Sequence, residues 1–203
     1  MSFLKKPFFS IITVTLNCKN DLSKTISSVQ SQNYNNYVHI IKDGYSTDGT
    51  QNIDLSNLKN TRIYIETDKG VYDAMNQATK YSKGDYILFL NSGDYFASES
   101  ILTELSKVIL DNPKFNCFVG QTLQIKCSVN KPFRLLGANW INKFFPLVQM
   151  PHPSFIIKRQ LLSIISPPFD ADLKIASDYK QQLLLRKCKS LKIYSMKLIM
   201  TIM

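Results

Sequence analysis

The sequence predicts an α/β fold: a mostly parallel sheet flanked by helices, followed by a C-terminal segment of different character. Three observations carry this expectation. Apolar, β-branched runs alternate with amphipathic stretches as β-α-β-α-β-α-β-α through the first 110 residues. The first run, Phe8–Leu16, is almost continuously apolar, as a strand covered on both faces must be. Polar clusters at Asn17, Asp43, Asp68 and Asn91–Asp94 each follow a predicted strand, so a parallel sheet gathers them at one rim, where such sheets bind ligands.

Taken in order, Phe8–Leu16 is the first strand, and Asn20 or Asp21 caps a helix with Leu22, Ile26 and Val29 on one face. Tyr37–Lys42 is the second strand and ends in the turn-rich run Asp43–Thr50, in which Thr50 opens a short helix and Asp48 reads as a turn residue. Arg62–Glu66 is a third strand. Val71–Ser82 is helical, with Val71, Ala74, Met75, Ala78 and Tyr81 as its apolar stripe and Gly84 as its stop. Asp85–Leu90 is a fourth strand, and Ser98–Leu110 an amphipathic helix. Beyond it, Phe115–Lys126 reads as strand and 127–150 as a long loop or short helices. Ser154–Ile157 is a brief strand, Arg159–Ile165 a short helix, and Ala176–Lys187 a helix opened by Ser177 and Asp178. The lysine-dotted apolar stretch Leu191–Met203 packs as a final strand or lies on anionic membrane.

Composition narrows the function classes. Hydrophobic residues make up 44% of the 203, which excludes a disordered chain, and 25 Lys+Arg against 15 Asp+Glu give a net charge of +10. That excess suits an anionic membrane surface, a nucleic acid or a phosphorylated substrate, or is solvated surface. No nucleic-acid module is recognisable, so no nucleic-acid partner is expected. Four isolated cysteines, Cys18, Cys117, Cys127 and Cys188, and a first run broken by Thr13, Thr15 and Asn17 favour a cytoplasmic chain without a signal peptide. No phosphate-cradling P-loop, dinucleotide glycine motif or zinc motif is present, and His39 and His152 are the only histidines. What remains is carboxylates at strand ends, and carboxylates with few histidines suit a hard divalent cation, Mn²⁺ or Mg²⁺, bridging a diphosphate.

The stretches Ser10–Asn17 (SIITVTLN), His39–Thr50 (HIIKDGYSTDGT), Thr67–Ala78 (TDKGVYDAMNQA) and Gly84–Asp94 (GDYILFLNSGD) precede His152–Leu162 and Phe169–Arg186. In this order they resemble family 2 glycosyltransferases of the Rossmann-like GT-A fold, in the bacterial branch that builds colanic acid, capsule and O-antigen chains. The resemblance covers roughly residues 8–187. It implies a single domain over 1–203, with a nucleotide-sugar half over about 7–112 and an acceptor half over about 113–203 that stops early for the family. It implies transfer of a sugar, with inversion, from a nucleotide diphosphate donor such as a UDP-sugar to a lipid-linked or oligosaccharide acceptor, at the inner face of the membrane.

Residue by residue, Asp43 would read the base and Thr15 and Asn17 would line the nucleoside. Asp68, Lys69, Gly70, Tyr72 and Asn76 would continue that wall. Asn91, Ser92 and Gly93 would lead into Asp94 as metal ligand, with His152 near the diphosphate or metal and Asp178 as catalytic base. Asp170 and Asp172 line the acceptor groove or form the turn after Pro168. Leu16 stands where many relatives carry an aromatic residue, and Asn91 where many carry Asp. Asn91 and the stop at Met203 favour a second expectation, a catalytically inactive nucleotide-binding or scaffold protein on the same fold.

Overall fold

A computed structural model describes residues 6–126, 131–137 and 149–203. Among the described residues nine strands form one sheet in the order Thr61–Ile65, Tyr37–Asp43, Phe9–Thr15, Tyr86–Phe89, Phe155–Lys158, Cys117–Lys126, Ile193–Ile202 and Tyr95–Phe96, with Lys131–Gly137 paired to Cys117–Lys126. The first half follows the predicted alternation. It comprises β1 (Phe9–Thr15), α1 (Lys19–Gln30), β2 (Tyr37–Asp43), β3 (Thr61–Ile65), α2 (Val71–Thr79), β4 (Tyr86–Phe89), β5 (Tyr95–Phe96) and α3 (Ile101–Asp111). β3, β2, β1 and β4 are all parallel, with Thr15 opposite Asp43 and Asp43 opposite Ile65 at the rim.

β1 and β4 show why their sequences carry apolar residues on both faces. Phe9, Ile11, Leu88 and Leu90 face the cluster beneath α1 and α3, while Ile12, Val14, Ile87 and Phe89 face the cluster beneath α2. Both faces are buried, so no polar alternation survives.

The second half comprises β6 (Cys117–Lys126), β7 (Lys131–Gly137), β8 (Phe155–Lys158), α4 (Arg159–Leu162), α5 (Ser177–Arg186) and β9 (Ile193–Ile202). Here parallel pairing gives way. β8 runs antiparallel to β4 and β6, β7 antiparallel to β6, and β5 antiparallel to β9; β9 alone is parallel to β6. Leu191–Met203 therefore supplies a strand, the packed alternative of the two expected. Where β6, β9 and the turn before β8 meet, Thr122, Ser154 and Thr201 bury three hydroxyls within 2.7–2.9 Å of one another, and Ser154 donates to the Gln121 carbonyl at 2.9 Å.

Several boundaries differ from expectation for physical reasons. β7 lies inside the stretch read as loop, because its pairing with β6 passes through an irregularity at Gln124/Ile125 that breaks the period. Cys127, Trp140 and Pro146 lie outside the described residues. α1 begins at Lys19, not after a cap at Asn20 or Asp21; the Lys19 N–H donates to Asp48 Oδ2 at 2.9 Å, so the cap comes from across the rim. Val71 is exposed although placed on the apolar stripe, being the first residue of α2 and beyond the sheet. Gly84 is not the stop of α2, which ends at Thr79. A Cβ there would come 2.5 Å from the β1 backbone, so the glycine serves a close approach of chains.

Candidate active site

The carboxyl ends of β1, β2 and β3 and the start of α2 form one wall. Asp43 is 0% exposed, and its carboxylate accepts the Ser46 N–H at 3.2–3.3 Å and the Ser46 hydroxyl. Ser46 Oγ in turn accepts the Asn17 N–H at 2.8 Å, and Asn17 Oδ1 accepts the Thr47 N–H at 2.8 Å. The first-strand end and the turn after β2 are thus laced together, with the Thr15 hydroxyl buried beside them and unpartnered. Asp68 Oδ1 accepts the Gly70 N–H at 3.1 Å, and Asp73 accepts the N–H of exposed Lys69 at 2.9 Å. Gly70, at φ 133°, has open space around it.

Sequence reasoning missed the residue at the centre of this wall. Lys42 is 0% exposed, and its ammonium donates to Asp68 Oδ2 at 2.8 Å, to the Glu66 carbonyl at 2.6 Å and to the Asp43 carbonyl at 3.2 Å. All three donors are used, and the buried charge is paired. A lysine inside an apolar strand next to a rim aspartate was the available signal.

After β4, the turn Asn91–Asp94 is hooked onto α1 by one buried hydroxyl. Thr25 Oγ1 accepts the Gly93 N–H at 3.0 Å and donates toward the Asp94 carbonyl at 2.8 Å. Ser92 bonds back to the Val14 carbonyl at 3.2 Å. Asp94 is 8% exposed, and burial pushes its carboxyl up to about 7, with the Asn91 backbone N–H opposing. Asn91 Oδ1 is buried without a partner. Among the described residues no three His, Cys, Asp or Glu side chains cluster as a metal cage. A raised buried carboxyl beside an orphaned amide oxygen nevertheless fits Mg²⁺ or Mn²⁺ of the kind that takes one or two protein oxygens and completes its shell with substrate phosphates and water.

On the other side, Asp178 sits in the first turn of α5. Tyr72 donates to its Oδ1 at 3.3 Å and Gln149 to its Oδ2 at 2.8 Å. Burial, then the Asp178 charge, raises the Tyr72 hydroxyl above its ordinary value, which keeps it a donor. Tyr72, expected on the nucleotide wall, thus reaches the candidate base, and Gln149 is a partner the sequence did not reveal.

Asn76 likewise makes a two-bond clamp on the Phe169 backbone, at 2.8 and 2.9 Å. Phe169 in turn packs against Tyr72, Phe89 and His152. Asp170 accepts the Asp172 N–H and pairs with Lys180 in the turn after Pro168, and both aspartates line a separate cavity of about 420 Å³. His152 stacks on Phe89 with both ring nitrogens sealed from solvent and unpartnered. Burial lowers its pKa, opposed by the Asp178 charge, so the ring is neutral. A cavity of about 660 Å³ is lined by Asp178, His152, Gln149, Gln124 and Arg134, whereas Asp94 lines a different cavity with Asp21, Lys24 and Ser92.

Backbone strain falls in the same place. Among the described residues the non-glycines in the left-handed region are Asn17 (φ 52°), Tyr45 (φ 73°) and Ala176 (φ 66°). Two lie on the wall and the third immediately precedes the helix of Asp178.

Comparison with known proteins bears on the fold and the family. The chain is 28% identical over 179 residues to a PGL/p-HBAD biosynthesis glycosyltransferase of Mycobacterium bovis, covering 85% of this chain and 67% of that one. It is 39% identical over 99 residues to the Escherichia coli UDP-Glc:alpha-D-GlcNAc-diphosphoundecaprenol beta-1,3-glucosyltransferase WfaP, covering 47% and 39%. Residues 1-349 of S. aureus TarS, crystallised with UDP, superpose with a TM-score of 0.78 at 20% identity; 96% of this chain aligns, spanning 60% of the TarS chain. The mannosyltransferase PcManGT of Pyrobaculum calidifontis, in complex with GDP-Man and Mn2+, gives 0.73 at 14% identity, covering 98% and 57%. These likenesses show the GT-A fold. The family description Glycosyl transferase family 2 matches residues 10–163, more than half of the chain, and the chain belongs to that family.

Proposed function

We propose that this chain transfers a sugar from a nucleotide diphosphate donor, a UDP-sugar, to the hydroxyl of a lipid-linked or oligosaccharide acceptor, with inversion. The observation that carries the reading is the placement of Asp178. Its carboxylate is held from two sides, by Tyr72 and Gln149, at the wall of a cavity of about 660 Å³. A carboxylate fixed in this way is a general base aimed at an acceptor hydroxyl. Tyr72 ties that base to α2, the helix that starts at the donor wall. Support for a uridine donor comes from the TarS complexes with UDP and UDP-GlcNAc, and support for a lipid-linked acceptor from the diphosphoundecaprenol substrate in the WfaP name.

Asp94 and Asn91 would hold Mn²⁺ or Mg²⁺, which when bound neutralises charge on the departing diphosphate. Thr25 keeps that turn in place, and Asp43, Asp68 and Lys42 shape the wall for the nucleoside. Among the described residues no helix is long and apolar enough to cross a membrane. We propose peripheral contact with an anionic inner-membrane surface through the net charge of +10.

The test is Asp178→Asn. Turnover per folded molecule should fall by ~10²–10⁴ while UDP affinity stays unchanged. Near wild-type turnover would remove Asp178 from the mechanism and leave it a helix-opening acid.

A further inference from the structure

We infer that Tyr45 is the base-stacking residue of the donor site, an inference that rests on the nucleotide-donor reading above. Tyr45 is held at φ 73°, a region in which a bulky side chain is an outlier. Such strain persists where the surroundings impose it, and it concentrates at ligand sites. The surroundings here are explicit. Gly44 is packed so closely between Leu16 and Asp68 that a Cβ would lie 3.3 Å from Leu16 Cδ1 and 2.8 Å from Asp68 Oδ2. On the other side Ser46 is pinned to Asp43 by its N–H and its hydroxyl. The backbone of residue 45 is fixed from both flanks, yet its side chain contributes nothing to the core. It is 60% exposed, with no ring contact among the described residues.

A strained tyrosine left 60% exposed, with no ring contact among the described residues, is a cost to the free protein. A ligand would offset it, and the neighbours define its chemistry. Leu16, 53% exposed, offers a second apolar surface at the end of β1, and the Asp68 carboxylate, an acceptor-only group, stands beside Gly44. Flat apolar faces with an N–H-bearing edge describe a nucleobase. Aromatic rings stack on bases of any identity, so Tyr45 would supply affinity while the carboxylate rim supplies orientation.

The experiment is calorimetric titration of UDP with Mg²⁺ into the full chain and into Tyr45→Phe, Tyr45→Ala and Tyr45→Gly, with inorganic pyrophosphate as a base-free ligand. Tyr45→Phe keeps the ring and should hold UDP affinity within about threefold. Tyr45→Ala and Tyr45→Gly should weaken UDP by about tenfold, the scale of one lost base–aromatic stack, and leave pyrophosphate binding unchanged. Tyr45→Gly should also raise Tm by about 2–4 °C, since glycine adopts φ 73° without strain. Higher stability with lower affinity for the base-bearing ligand is an outcome a merely structural tyrosine does not give. UDP binding equal to wild type in Tyr45→Gly overturns the stacking assignment and leaves the donor reading intact. A wild-type chain with no affinity for UDP overturns both.

Discussion

The donor wall and the acceptor side are built on opposite principles. On the donor wall the aspartates are held by neighbours a few residues away: Asp43 by Ser46, Asp48 by Thr50, Asp68 by Gly70. On the acceptor side Asp178 is held by Tyr72, 106 positions earlier, and Phe169 by Asn76, 93 positions earlier. The first region is a set of local turns that parallel strands place side by side. The second exists only after the chain has closed on itself. A local turn tolerates change elsewhere in the molecule, whereas the acceptor side inherits its geometry from α2 and so from the donor half.

Four substitutions test that contrast, in order of expected effect. Lys42 is a long-range, charged tie on the donor wall, and Lys42→Met leaves the Asp68 carboxylate, 8% exposed, without its cation. Breaking a buried pair from one side costs about 3–5 kcal/mol. Urea unfolding should show this loss, and Lys42→Met combined with Asp68→Leu should recover part of it. A single variant as stable as wild type would mean that the wall needs no such tie. Asn76→Ala removes one tie between the halves, beside their shared sheet and core, and strands the Phe169 N–H and carbonyl. A loss of about 2–4 kcal/mol is expected from the same measurement, and a loss below about 1 kcal/mol would show that this clamp contributes little. Tyr72→Phe acts on the acceptor side alone. It should lower kcat by about tenfold with UDP affinity unchanged, as expected for one hydrogen bond to a charged group; a change confined to UDP affinity would return Tyr72 to the donor wall.

The smallest effect lies between β1 and β2, where His39 is fully buried, bonded to Thr13 at 2.9 Å and lowered by burial from 6.5 to about 3. Between those pH values the unfolded chain binds a proton that the folded chain refuses. His39 therefore removes stability as pH falls from about 6.5 toward 3. Asp94, raised from 3.8 to about 7, does the reverse over much of that window. Comparing His39→Gln with wild type isolates the histidine: the variant should lose less stability on acidification, and parallel pH profiles would show that His39 titrates normally.

The same contrast explains what could be read before folding. The donor half was legible because its signals are periodic and local: four strands, all but the edge strand β3 covered on both faces, each followed by turn residues. Asp94 and Asp178 were placed on the right elements, a post-strand turn and the first turn of α5. Gln149 and Thr25 were not singled out, because each acts on a partner far away in sequence and has no local signature of its role; Lys42 had one, a lysine inside an apolar strand, but its partner Asp68 is 26 positions away. Tyr72 and Asn76 were assigned to the wall beside them, whereas their polar groups point to the acceptor half. β7 was missed because an irregular register hides its period of two.

The buried hydroxyls of Thr122, Ser154 and Thr201 have a consequence of another kind. Counting their contacts with one another and with the Gln121 carbonyl gives four oxygen–oxygen approaches, all within 2.9 Å. Each hydroxyl owns a single proton, so three protons serve four approaches. With the Ser154 proton on the carbonyl, which accepts only, the two threonines can donate to Ser154 together or in relay through one another. The junction of β6, β9 and the turn before β8 is therefore closely packed in its heavy atoms yet keeps several proton arrangements, a small residual entropy that a fully assigned network would have lost.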